Sequence, residues 1–346
     1  MPAAAPDALE RLIAAVLEAT GAPPQAARIV AESLVLANLK GVDSHGIIRL
    51  PQYVDEIETG LTRPDAEPTS QLHGAIALVS GHRGFGQIAA RAASRHACAL
   101  AGELGVGLAM LSGVRHVGRL GEYVERAAAS GFVAIAFCNT GPAGGRVVPF
   151  GGAEPLLGTN PIAYAFPGGL VADFSSAAAS EGRVRAARQA GSAIPEGWIV
   201  DAGGAPSTDP GDLYSGGALL PAGGQRGTAL ALLAELLGGA LAGAGTASTG
   251  DEPGNGLVVV AIDPRALGPP SALGERVERV LVALRAVRPA PGHDRVLAPG
   301  DLEAETETRR RVEGIPVPDG TWSAILAVAA RYGVDTARTL RASPGA

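Results

Sequence analysis

Lysine is almost absent from this chain, with Lys40 its only representative. An arginine where lysine would also serve is therefore weak evidence for a planar, two-pronged contact. Cysteine is nearly as scarce. Cys98 and Cys138 both lie in apolar surroundings, which suits small buried hydrophobes better than a disulfide or a metal pair. His73, His82, His96 and His293 show no metal-ligand spacing, and no Cys/His/Asp cluster suggests zinc, so no metal is expected. Positive charge is not in excess: the net charge is −6 and the pI about 5.6, which argues against a nucleic-acid partner. Long apolar runs are missing too. One of the longest, residues 228–241, is too short to span a bilayer and contains Glu235, so no membrane partner is expected. The start, Met1-Pro-Ala-Ala-Ala-Pro, has no basic region followed by an apolar run, and a cytoplasmic location is the expectation.

What is present is a 346-residue chain with 47% hydrophobic and 18% charged residues, long enough for two domains and a large core. Its 49 glycines and abundant alanine reflect a compositional bias that lowers the weight of any single glycine. Leu9, Leu12, Ile13, Val16 and Leu17 recur at helical spacing over 7–20. A second helix is predicted over about 25–40 and a third over about 48–59, with Asp43 or Ser44 as its cap. Strands are expected at 75–80, 107–112, 132–138 and 257–262, and helices at 87–102, 121–130, 228–242 and 271–285. Residues 139–227 read as a loop-rich middle, and a Gly/Ala/Ser/Thr linker follows 242 as far as about Asn255. The end is helical at 321–332 and 335–340. Strand–helix–strand order of this kind predicts an α/β core.

The residues with chemistry in them begin at Asp43-Ser44-His45-Gly46, with Arg49 four positions after the histidine and Tyr53 eight. A hydroxyl, an imidazole and a guanidinium in that order suit proton transfer on a substrate bearing a carboxylate. A histidine hydrogen-bonded in a turn and a surface arginine are the plain alternatives. No G-x-S-x-G elbow surrounds Ser44, so it lacks the setting of an esterase nucleophile. A second group is Arg115-His116-Val-Gly118-Arg119, after the strand at 107–112, where α/β proteins place ligands. His116 could also simply pack in its turn.

Two further loops have the composition of nucleotide cradles or of ordinary turns. One is Gly158-Thr159-Asn160-Pro-Ile-Ala163 with Asp173-Phe174-Ser175-Ser176, where exposed backbone N–H groups could hold phosphate or ribose. The other is Leu220-Pro-Ala-Gly223-Gly-Gln-Arg226-Gly227 ahead of a helix, an anion site or a hinge. A Rossmann fingerprint is not among them. Neither Gly81-His-Arg-Gly84-Phe-Gly86 nor Gly105-Val-Gly107 has the right spacing after a strand and before a helix, and no acidic residue ends a second strand about twenty positions on.

Taken in order and spacing, these motifs resemble the type-2 malate/L-lactate dehydrogenase family, which includes ureidoglycolate and sulfolactate dehydrogenases, diketogulonate reductase and piperideine-2-carboxylate reductase. The resemblance runs from Gly41-Val-Asp43-Ser44-His45-Gly46 and Arg49-Leu-Pro-Gln-Tyr53 through Gly84-Phe-Gly86-Gln87 and His116-Val-Gly118-Arg119. It continues in Asn139-Thr-Gly-Pro142, Pro149-Phe-Gly-Gly152, Gly158 to Ala163, Asp173, Gly182, Pro195-Glu-Gly-Trp198, Pro206 to Pro210 and Leu219 to Gly227. It ends in Pro299-Gly300 and Gly314-Ile-Pro316, so it covers nearly the whole chain.

The resemblance implies a non-Rossmann NAD(P)-binding mixed α/β domain at 73–294 and a helical domain built from both chain ends, 1–72 with 295–346. It implies a homodimer that binds NAD or NADP and transfers a hydride between nicotinamide and C2 of a small 2-oxo or 2-hydroxy carboxylate. His45 is the first candidate for proton donor and His116 the second, with Ser44 to orient or relay. Arg49 would hold the substrate carboxylate, helped by Thr159. Asn139, Thr140, Asn160, Asp173, Phe174, Ser175, Arg226, Pro299 and Gly300 would line the cofactor.

There are departures from the pattern. Asp173-Phe-Ser-Ser-Ala177 stands where relatives often read Asp-x-Ala-Thr-Ser, Arg226 where many have lysine, and Val114 where a serine is common. Arg183 stands where the imine-reducing branch carries an aspartate, which argues against a Ser–His–Asp relay. Reduction of a cyclic imino acid is the alternative within the class. A catalytically weak NAD(P)-binding protein is the alternative outside it.

Overall fold

A computed structural model of the chain describes residues 3–141, 145–249 and 254–340. Pro142 of the Asn139-Thr-Gly-Pro142 motif and part of the expected linker before Asn255 lie outside these residues.

The chain opens with a two-residue strand β1 (Ala3–Ala4), then α1 (Pro6–Ala19), α2 (Pro24–Leu39) and α3 (Leu50–Glu58). In α1 the helical spacing seen in the sequence becomes one face: Leu9, Leu12, Ile13, Val16 and Leu17 are all fully buried. Each such side chain contributes about 1.5–3 kcal/mol relative to exposure. They share a core with Val30, Leu34, Val35, Leu50 and Val54, and with residues from the far end of the chain: Ile315, Val317, Ile325, Val328 and Ala329.

Next come β2 (Thr69–His73), β3 (Ile76–Ser80), α4 (Gly86–Leu104), β4 (Val106–Val114), α5 (Gly121–Ala129), β5 (Val133–Asn139), β6 (Ile162–Phe166) and β7 (Leu170–Phe174). After α6 (Glu181–Gln189) there are three two-residue strands, β8 (Ile199–Val200), β9 (Pro206–Ser207) and β10 (Ala218–Leu219). Then follow α7 (Gln225–Ala234), a π-helical turn Glu235–Leu241, β11 (Asn255–Ile262) and α8 (Pro270–Arg285). The chain closes with α9 (Asp301–Glu313), β12 (Ile315–Pro316), α10 (Asp319–Arg331) and α11 (Thr336–Thr339). β12 pairs antiparallel with β1, joining the two ends directly.

Seven strands form one mixed sheet in the order β2-β3-β4-β11-β5-β6-β7, in which only β3 and β4 run parallel. β11, a nearly continuous apolar run, is the central strand, as expected for a strand covered on both faces. α4 and α5 supply the helical partners of the sheet core: Ala89, Ala90, Ala93, Ala97, Tyr123, Val124 and Ala127 pack with Leu111, Ala134, Ala136, Leu257 and Val259. A smaller third core gathers Val147, Leu157, Ala177, Val184, Ile194, Ile199 and Leu219. No helix among the described residues is long and apolar enough to cross a membrane.

The architecture is the expected mixed α/β one, with local differences. The middle segment 139–227 is more ordered than a loop-rich reading allows: it holds the β6–β7 hairpin, α6 and three short strands. β2 and α9 were also not expected. α9, Asp-Leu-Glu-Ala-Glu-Thr-Glu-Thr-Arg-Arg-Arg-Val-Glu, has no apolar stripe and no buried residue, so periodicity cannot reveal it. The predicted helix 228–242 begins at Gln225 and changes to π geometry from Glu235.

Candidate active site

The Asp43-Ser44-His45 segment is a single 3-10 turn, followed by a second at Ile47–Arg49 before α3 begins. The expected cap on α3 is not formed, since its first turn has no side-chain cap. Asp43 instead takes a 2.5 Å hydrogen bond from Asn38 Nδ2 and two from Arg310, at 2.6 Å and 3.0 Å. Arg310 sits on α9, so an arginine from the far end of the chain holds the aspartate in place. Asn38 Oδ1 accepts from Ile47 N at 2.8 Å and fills the space beside Gly46. A Cβ at Gly46 would lie 2.1 Å from that oxygen, which is why the turn needs glycine there.

The clamped turn presents His45 to His116, and the two ring centroids are 5.2 Å apart. His116 follows β4 and lies against the start of α4. Gly86 makes this approach possible, because a Cβ there would be 2.3 Å from the His116 carbonyl oxygen. Each imidazole has one nitrogen occupied by a hydroxyl: Ser44 Oγ is 2.9 Å from His45 Nδ1, and Tyr53 OH is 2.7 Å from His116 Nδ1. Both rings are half-buried. Burial first, then the Arg49 and Arg119 guanidiniums, bring the His45 pKa down to about 4. Burial, then His45 and Arg49, hold His116 well below its usual value. Both are neutral imidazoles at pH 7 in the free protein.

Arg49 is fixed by Nε to the Ser44 carbonyl at 2.7 Å and by Nη1 to Gln52 Oε1 at 2.8 Å. Nη2 has no hydrogen-bond partner among the described residues, so it can take a ligand. Burial lowers its pKa, and Glu181, Arg185 and Arg146 lie near enough to act on it. α6 approaches from the other side: a Cβ at Gly182 would lie 3.8 Å from Ser44 Cβ, and Arg185, three positions on, shares that helix face. Glu181 and Arg185 form a loose 3.8 Å pair, and Tyr214 donates to Glu181 at 2.7 Å. Two imidazoles, two hydroxyls and several guanidiniums thus converge from the two 3-10 turns, α3, the loop after β4 and α6.

The expected cofactor residues form a second group. Asp173 lies one residue before the end of β7 and accepts from Gly121 N at 2.7 Å, at the first turn of α5, where a carboxylate is favoured. Burial raises its pKa while the neighbouring Arg119 opposes this. From Asp173 the chain runs through Ser175 and Ser176, whose hydroxyls donate to the Thr159 carbonyl at 3.0 Å and 2.9 Å, and on to Gly182 beside Ser44. The Thr159 carbonyl is therefore fully engaged.

Asn139 and Asn160 are fully buried and spent within the protein. Asn139 bonds Gly245 O and Gly256 N, both at 2.8 Å. Asn160, in the left-handed region at φ 34°, accepts from Thr140 N at 3.1 Å and donates to Ala231 O at 3.0 Å and Glu235 Oε2 at 2.7 Å. These two asparagines hold the Thr140 and Thr159 loops rather than offering free amides. Phe174 is 41% exposed, and Gly300, also left-handed, packs on the Val171 backbone. Pro299 beside it and Arg226 are exposed.

The donor set fits a dinucleotide. The α7 N-terminus has no side-chain cap, Gly223 and Gly224 ahead of it have positive φ, and Arg226 stands exposed on its first turn. The exposed Phe174 face offers an apolar surface for a ring. The sequence reading left Gln87, Glu181, Arg185 and Glu235 out of the site. Glu235, only 4% exposed, had no local signal because it sits inside an apolar run.

The malate/L-lactate dehydrogenase family profile matches residues 4–326. L-sulfolactate dehydrogenase of Methanothermobacter thermautotrophicus is 35% identical over 335 residues, covering 94% of this chain and 95% of that protein. Ureidoglycolate dehydrogenase (NAD(+)) of Escherichia coli K12 is 32% identical, covering 92% and 94%. (2R)-3-sulfolactate dehydrogenase (NADP(+)) of Chromohalobacter salexigens is 39% identical, covering 74% and 79%. Among solved structures, delta1-piperideine-2-carboxylate reductase of Pseudomonas syringae superposes with a TM-score of 0.84 at 30% identity, covering 95% of this chain and 100% of that one. The chain belongs to the malate/L-lactate dehydrogenase family and is an NAD(P)-dependent oxidoreductase acting on hydroxy-carboxylates.

Proposed function

We propose that this enzyme transfers a hydride between nicotinamide and C2 of a small 2-oxo or 2-hydroxy carboxylate of the malate or lactate type. The observation that carries the proposal is the pairing of two neutral imidazoles, 5.2 Å apart, beside an arginine fixed through Nε and Nη1. Bound NAD or NADP would supply the hydride or accept it at nicotinamide C4. Asn139 and Asn160 would hold the loops around it, Arg226 and the α7 N-terminus would bind its phosphates, and Asp173, Phe174, Ser175, Pro299 and Gly300 would complete its lining.

Arg49 holds the substrate carboxylate and so fixes the position of C2, with Thr159 as its expected helper. His45 exchanges the proton of the C2 oxygen, and Ser44 orients the ring. In the oxidation direction a neutral imidazole is ready to accept that proton. In reduction, an anion bound beside Arg49 offsets the guanidinium and raises the proton affinity of the ring, so binding prepares the donor. The cationic surplus of Arg146 and Arg185 around Arg49 favours a substrate with a second acidic group.

A cyclic imino acid is the second reading, favoured by the likeness to the piperideine-2-carboxylate reductase and opposed by Arg183, which brings no carboxylate to the site. The homodimer and the division into 1–72 with 295–346 and 73–294 rest on the family resemblance and are carried with this proposal.

The test is the 340 nm absorbance of NADH and NADPH with a panel of 2-oxo monoacids, 2-oxo diacids and cyclic imino acids. Turnover of a 2-oxo acid is expected. Turnover of imines alone moves the assignment to the second reading. Tight NAD(P)H binding with no oxidation across the whole panel makes the chain a binding protein.

A further inference from the structure

Tyr53 is 3% exposed, and its hydroxyl lies between two groups: Gln87 Nε2 at 2.6 Å and His116 Nδ1 at 2.7 Å. Gln87 itself is fully buried at the start of α4, where Gly86 lets the helix end meet the His116 backbone. An amide N–H only donates, so the phenol oxygen accepts from Gln87. The phenol proton then needs an acceptor, and among the described residues His116 Nδ1 is the only other polar atom bonded to it. A buried hydroxyl proton left without a partner costs on the order of 1–3 kcal/mol. The proton therefore points at Nδ1, and Nδ1 presents a lone pair.

Reversing the Gln87 amide would reverse this chain. Tyr53 would donate to Gln87 and accept from a protonated Nδ1. That arrangement buries both N–H groups of the amide where one carbonyl oxygen, Gln87 Oε1, now lacks a partner. The orientation seen leaves the carbonyl oxygen and one N–H without a partner among the described residues, whereas the reverse would leave both N–H groups so.

We infer that Tyr53, directed by Gln87, is a positioning residue that fixes His116 as the Nε2–H tautomer, so that His116 meets the substrate oxygen as a hydrogen-bond donor and not as a base. The bond made by one ring nitrogen decides the state of the other. His116 Nε2 has no hydrogen-bond partner among the described residues, and the ring is half-buried beside His45. The neutral state of the ring and the upward shift of the buried Tyr53 phenol agree with this assignment. The two histidines thereby divide the work. His116 orients and polarises the C2 oxygen through a fixed N–H and keeps its proton, and His45 exchanges the proton. This division rests on the reading of the site given above. The tautomer itself does not.

The experiment is long-range 1H–15N correlation on protein labelled with 15N-histidine, with the His116 ring assigned by its disappearance in H116N. The wild-type ring is expected to show a pyridine-like Nδ1 and a pyrrole-like Nε2. In Y53F, which keeps the aromatic ring and removes the hydroxyl, the two shifts should move toward a mixture of tautomers. Turnover should fall about tenfold while NAD(P)H affinity stays within twofold. A pyrrole-like Nδ1 in the wild type overturns the inference, and that measurement stands even if Y53F fails to fold. So does a Y53F protein with unchanged ring shifts and unchanged turnover. A wild-type ring in the predicted tautomer, with no turnover on any substrate of the panel, leaves the tautomer standing and removes the functional reading instead.

Discussion

Around His45 and His116, polar atoms keep bonding capacity to spare. Around Asn139 and Asn160 they do not. The imidazoles are half-buried, each bound at one nitrogen by a hydroxyl, and Arg49 Nη2 has no partner among the described residues. The asparagines are fully buried, and every amide group is matched to a backbone atom, Thr140 or Glu235. Both groups stood out in the sequence as polar residues in motif-like loops. The difference lies in what the fold does with them: one group is left reactive, and the other is used to hold two loops together across β5, the Thr159 loop and the π-helical turn.

That contrast predicts which substitutions separate activity from stability. H45Q should lower turnover by about 10²–10⁴-fold, the usual worth of a positioned proton-transfer group, with NAD(P)H binding and melting temperature nearly unchanged. Steady-state rates beside cofactor titrations check this. If H116Q abolishes turnover while H45Q keeps it, the roles of the two histidines exchange.

Acid should act on the imidazole cleft specifically. The folded-state pKa of His45 is lowered to about 4 against an ordinary value near 6.5, so the unfolded chain binds the proton more readily. The stability contributed by a neutral His45 is fully present above pH 6.5 and is lost as pH falls toward 4, by at most roughly 3 kcal/mol. Urea midpoints measured between pH 7 and 4 should fall less steeply in H45Q than in the wild type.

N160A should break the other side of the comparison. It strands one oxygen of the Glu235 carboxylate and the Thr140 N–H in a buried layer, at a cost of about 2 kcal/mol in folding stability. Differential scanning calorimetry should show that loss together with weaker cofactor binding, where H45Q shows neither. The smallest effect belongs to Arg185. R185A should reduce the preference for a 2-oxo diacid over a 2-oxo monoacid by about tenfold in kcat/KM, leaving the monoacid nearly untouched. An unchanged ratio would remove Arg185 from substrate selection.

Legibility follows the same division. His45, His116 and Arg49 could be read from the sequence because few other residues in their segments carry chemistry and their loops have distinctive spacing. Their mutual arrangement could not, since it depends on Asn38 and Arg310 clamping the turn and on Gly86 admitting α4 to the His116 backbone. Glu235 was illegible because a buried carboxylate inside an apolar run is recognisable only once Asn160 and the Ala247 N–H are seen beside it. α9 escaped for the reverse reason: a helix with no buried face has no apolar period to detect. The β6–β7 hairpin did leave a trace. Two short apolar runs flank Pro167-Gly168-Gly169, with both glycines at positive φ, but runs of five residues give too little period to separate strand from loop.

The most direct test follows the hydride itself. Reduced nicotinamide cofactor carrying deuterium at the transferred C4 position is incubated with the enzyme and a 2-oxo diacid, and the product is examined by NMR. The account predicts deuterium on C2 of a 2-hydroxy acid, formed as a single enantiomer and lost in H45Q. A cofactor that binds tightly yet delivers no deuterium to C2 of any 2-oxo acid would contradict it.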